Sequence, residues 1–79
     1  MEYDSIEKLY SSINGDDGMN GSSITSLLDK LEVAMEYERM LTDWRQVGKV
    51  EFQYTSRGDW KVTVRYAKDG ENRTVVIEP

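Results

Sequence analysis

Apolar residues recur along this chain in two rhythms, at helical spacing as far as residue 46 and at every second position from residue 50 onward. Ile24, Leu27, Leu28, Leu31, Ala34 and Met35 fall at i, i+3, i+4 and i+7. That spacing predicts one apolar face of a long amphipathic helix over about 23–46. Ser22 or Ser23 offers a capping oxygen to its first amides. Gly48 suits the left-handed position beyond a helix end, and Arg45 places a cation in the last turn. Because successive helical residues turn by about 100°, Val33, Tyr37, Met40 and Trp44 line up as a second apolar stripe. Between the stripes run Asp29, Glu32, Glu36 and Asp43, interrupted only by Arg39. A helix with two apolar faces has two neighbours to find.

A shorter helix precedes it. Ile6, Leu9, Tyr10 and Ile13 repeat at the same spacing, and Asp4 with Glu7 forms a capping pair, so the expected element covers about 4–13. Residues 14–22 hold three glycines and no apolar period, which predicts a loop. Its acids were weighed as a calcium loop starting at Asp16. Gly18 then falls where a second ligand belongs, and Leu27 where a bidentate glutamate belongs, so no metal is expected.

After Gly48 the period becomes two. Val50, Phe52 and Tyr54 alternate with polar residues, as do Trp60, Val62, Val64 and Tyr66, and then Val75 and Ile77. Strands are expected at about 49–55, 60–67 and 72–78. A three-residue loop Ser56-Arg57-Gly58, with Gly58 left-handed, sets Tyr54 opposite Trp60 and Phe52 opposite Val62. Asp69-Gly70 is a two-residue hairpin signal that sets Lys68 opposite Glu71, Val64 opposite Val75 and Val62 opposite Ile77. Both turns bring Val50, Phe52, Tyr54, Trp60, Val62, Val64, Tyr66, Val75 and Ile77 to one face. The expected fold is therefore α+β: a short helix, a long amphipathic helix, then a three-stranded antiparallel β-meander packed on the long helix, in a single domain over 1–79.

Composition narrows the chemistry. With no cysteine and no histidine among 79 residues, the usual zinc, haem and iron–sulfur ligands are missing, and so are Cys/His and Ser/His nucleophile systems. No cofactor, metal or catalytic residue is expected, and the chain is read as not an enzyme. No apolar run approaches membrane-spanning length, and no basic-then-apolar leader opens the chain, which makes the expected location cytoplasmic.

The net charge of −5 is unevenly placed. Residues 1–46 carry ten acids against four bases, net −6, while residues 47–79 carry five acids against six bases, net +1. Such asymmetry bears on partners and encounter rates. Arg57-Gly58-Asp59 spells an adhesion tripeptide, but a bulged turn equally wants a glycine between polar residues. Lys49, Lys61 and Arg65 share the open sheet face, where weak RNA binding is one alternative; the overall negative charge opposes it.

The expected function is that of a small acidic protein-interaction module. Asp29, Glu32, Glu36 and Asp43, spread over roughly 21 Å of helix, are the expected contact with a basic surface of another protein. A row of carboxylates can imitate phosphates, so the sharper form is a DNA mimic, an inhibitor of the kind phages or toxin systems encode, blocking a nucleic-acid-binding protein. The other alternative is a homodimeric structural or adaptor protein whose interface is Val33, Tyr37, Met40 and Trp44.

Overall fold

The computed structural model describes residues 1–16 and 21–79. Its elements run β1 (Glu2–Tyr3), α1 (Ile6–Asn14), α2 (Ser22–Met40), β2 (Arg45–Gln46), β3 (Val50–Tyr54), β4 (Trp60–Lys68) and β5 (Glu71–Ile77). Two helices cover one face of a five-stranded antiparallel sheet, so the fold is α+β.

The meander β3–β4–β5 follows from its turns. Tyr54 faces Trp60 and Phe52 faces Val62, while Val62 faces Ile77, Val64 faces Val75 and Lys68 faces Glu71. At the first turn Gly58 sits at φ +87°, and its N–H donates to the Thr55 carbonyl at 3.0 Å. At the second, Asp69 and Gly70 both have positive φ, 45° and 83°. Two consecutive left-handed residues give the turn whose twist matches paired strands.

Two short strands extend this meander. Glu2 and Tyr3 pair with Glu51 and Val50, so β1 lies beside β3. Arg45 and Gln46 pair with Ala67 and Tyr66. Since β5 pairs with β4 from Val62 to Lys68, it occupies one edge of β4. The other edge is shared by β3 and β2 end to end, with Gly48 at φ +72° in the break between them.

The core lies between sheet and helices. Ile6, Leu9 and Ile13 of α1 join Ile24, Leu27 and Leu31 of α2 over Val50, Phe52, Trp60, Val62, Val64 and Tyr66. Leu27 and Leu31 are wholly buried, each contributing about 1.5–3 kcal/mol by leaving water. Leu28, Ala34 and Met35 pack against this cluster as partly buried neighbours. The predicted core face of the long helix is therefore the observed one.

Three boundaries differ from expectation. α1 starts at Ile6 and is capped by Ser5, whose hydroxyl accepts the Lys8 N–H at 3.1 Å. Asp4 is drawn away by Lys49, 2.6 Å from its carboxylate, which holds the Asp4 carboxyl below its usual range. The N-cap of α2 is Gly21, and the Ser23 hydroxyl donates to the Gly58 carbonyl, tying the start of the helix to the first hairpin turn. Most consequential, α2 ends at Met40 and not near residue 46. Leu41 leaves the helical region at φ −90°, ψ 67°, and the Trp44 N–H returns to the Leu41 carbonyl at 3.3 Å in a turn. Arg45 and Gln46 gain more by hydrogen bonding to β4 than by prolonging a solvent-exposed helix. The middle of the predicted loop and of the calcium reading, residues 17–20, lies outside the described residues; Leu27, the would-be glutamate position, is in the core.

Candidate functional site

The surface that the core leaves over is concentrated on α2. Val33, Tyr37 and Met40, at i, i+4 and i+7, are 69%, 52% and 77% exposed. An ordinary surface scatters large apolar residues singly, whereas these three stand in a row on one helix. Trp44 does not continue the row, because the helix has ended. It packs on the edge of the core, with the Arg73 guanidinium 4.8 Å and the Lys68 ammonium 5.8 Å from its ring. Arg73 faces Tyr66 across the ladder, and its guanidinium covers Trp44. The four-residue dimer stripe is thus a three-residue exposed row plus one structural tryptophan.

The acidic stripe divides in the same way. Asp29, Glu32 and Glu36 lie exposed on α2 beside the apolar row. Glu32 accepts a hydrogen bond from the Tyr10 hydroxyl at 2.8 Å, which raises the phenol's pKa and fixes that carboxylate over α1. Asp29 and Glu36 have no hydrogen bond or ion pair among the described residues. Asp43 stands off the helix, in the turn, 3.7 Å from Lys68. The third glutamate of α2, Glu38, points inward and accepts from the Tyr66 hydroxyl at 2.6 Å. Burial first, and then the carboxylate, push the Tyr66 phenol far above the ordinary value of 10.0.

On the other flank of the apolar row lies a groove of about 420 Å³ between α2 and β5. Val33, Ala34 and Tyr37 form one wall, Val75 and Ile77 the other, and Lys30 stands at one end with its ammonium on the Glu78 carbonyl. Sequence reasoning missed this groove. Its signal was that Val33 and Tyr37 do not share the angular position of Leu27 and Leu31, so the helix leans away from β5.

On the open sheet face Lys61 is exposed, while the other two cations have acidic neighbours. Lys49 is paired with Asp4, and Arg65 lies 3.4 Å from Glu51. Among the described residues no three acidic side chains gather as metal ligands, and no helix is long and apolar enough to cross a membrane. No protein-family model, curated protein or solved structure matches the chain.

Proposed function

We infer that this chain is a protein-interaction module that docks the exposed face of α2 on a basic surface of another protein. The observation that carries the reading is the row Val33–Tyr37–Met40, left exposed on a helix whose opposite face is fully committed to the core. Burying such a row supplies affinity, with the aromatic as the anchor. Asp29 and Glu36 alongside it supply selection, since unpaired carboxylates favour a cationic rim and speed the encounter.

The mimicry form of this idea rests on less than the full stripe. With Asp43 off the helix, the carboxylate row spans residues 29–36, roughly 10 Å at 1.5 Å per residue. That is about half the length a four-member row would have had. Apolar docking therefore leads and charge assists. If the covered surface is one that grips phosphates, the consequence is inhibition of a nucleic-acid-binding protein. The function is one of binding and not of catalysis, in keeping with a site made of apolar and unpaired acidic side chains on a convex helix.

The test is affinity capture from extract of the native host with three baits: the wild type, Asp29→Lys/Glu36→Lys and Tyr37→Ser/Met40→Ser. A specific partner is retained by the wild type, falls about tenfold or more in each double variant, and is released progressively by salt. All the substituted positions are exposed, so both variants keep the wild-type melting temperature to within a few degrees. A captured set that is the same for all three baits overturns the reading.

A further inference from the structure

We propose that the free edge of β5 pairs with the β5 of a second copy, antiparallel about a two-fold axis at Val75, joining two sheets into one. The inference is independent of the acidic face of α2. It starts from the ladder. Lys68 and Glu71 close a two-residue turn and are therefore a hydrogen-bonded pair. Alternation then sends the N–H and C=O groups of Glu71, Arg73, Val75 and Ile77 toward β4, and those of Asn72, Thr74 and Val76 toward the outside. Nothing among the described residues covers that outer edge: β4 is the only strand that pairs with β5.

An unpaired edge is ordinarily blunted by a proline, a bulge, a very short strand or an inward-pointing charge. The opposite edge follows this rule, since β1 has two residues. β5 has seven, without a bulge or a proline; its inward-facing charged residues, Glu71 and Arg73, stand in its first half, and its second half is Thr74-Val75-Val76-Ile77. Three of those four are apolar and all four are β-branched, a composition that favours further pairing.

The register follows from what each face would bring together. Centring the axis on Val75 sets Val75 against its own copy and Thr74 against Val76, a pair of β-branched residues meeting across strands. Val76, 43% exposed on the open sheet face, is thereby covered. On the groove face, Ile77 meets the stem of the second copy's Arg73, and the open sides of the two grooves come together. The charges also match. Lys30 reaches the Glu78 carbonyl at the end of the groove, and in this register Glu71 of the second copy falls opposite position 79, beside that ammonium. Moving the axis to Thr74 instead would set Arg73 against Val75 and break the apolar match. The strand pairing itself lies in the half of the chain whose net charge is +1.

The experiment combines sedimentation with cross-linking. The wild type should sediment as a dimer at high micromolar concentration. Thr74→Pro removes an outward N–H that β4 does not use, so it should yield a monomer with the wild-type circular dichroism spectrum. Glu71→Lys should weaken the dimer about tenfold or more, and adding Lys30→Glu should restore it. Should Thr74→Pro fail to fold, Val75→Cys decides: in a chain with no other cysteine, oxidation should link two copies through that one residue. Monomeric wild type at high micromolar concentration overturns the proposal. So does a dimer in which Val75→Cys stays unlinked and Glu71→Lys changes nothing, because its contact must then lie elsewhere, on the α2 row. Neither outcome touches capture of a basic partner by Asp29 and Glu36.

Discussion

Tyr66 shows how a single side chain can be placed by sequence and yet surprise by its chemistry. Its even-numbered position on β4 puts it on the core face, and it is buried as that parity requires. What the period cannot show is its hydroxyl, which reaches across to Glu38 on α2. The bond stabilises the neutral phenol, and burial adds to the effect, so the folded-state pKa lies above the unfolded value of 10.0. A raised value contributes stability that is fully present below about pH 10 and is lost as the pH climbs through the folded-state value. The protein should therefore lose stability steeply above pH 10, as measured by urea unfolding between pH 8 and pH 11.5. Tyr66→Phe should remove much of that alkaline slope and cost about 1–2 kcal/mol at pH 8, where the bond is intact. An unaltered slope in the variant would mean that other tyrosines carry it.

The long helix is where periodicity both succeeded and overreached. Its first half was readable because Ile24, Leu27 and Leu31 face one way and end in the core. Its end was not, because no glycine or proline stands between Met40 and Gly48, and these are the breakers that usually announce a stop. A weaker signal was present. Thr42, Asp43 and Trp44 are all poor helix formers, and Arg45-Gln46-Val47 had a strand edge to join. Trp44 consequently changes role, from a member of an exposed stripe to a lid over the far end of the sheet, clasped by Arg73 and Lys68. Trp44→Ala should then destabilise the fold by about 2–3 kcal/mol, somewhat under the cost for a fully buried tryptophan. Met40→Ser, 77% exposed at the end of α2, should stay within about 0.5 kcal/mol of the wild type. Thermal unfolding of the two variants checks both; equal losses would place Met40 in the core or Trp44 outside it. The strands were legible for a different reason: two independent turns, Ser56-Arg57-Gly58 and Asp69-Gly70, had to agree on one face, and they do. β1 and β2, two residues each, are too short to carry any period.

Taken as a body, the molecule is two-sided in charge, and three of its exposed apolar residues stand in one row on α2. The helices carry the acids, the strands are nearly neutral, and the exposed apolar row follows the boundary between the acidic flank of α2 and the groove beside β5. On the proposed reading α2 is the working surface and the sheet its support. The most direct trial places a photo-reactive phenylalanine analogue at position 37 of the chain expressed in its native host, with Lys61 on the open sheet face as the control position. The account predicts a covalent adduct at position 37 to a basic protein, absent at position 61 and lost in the Asp29→Lys/Glu36→Lys background. Adducts at position 61 without any at position 37 would contradict it.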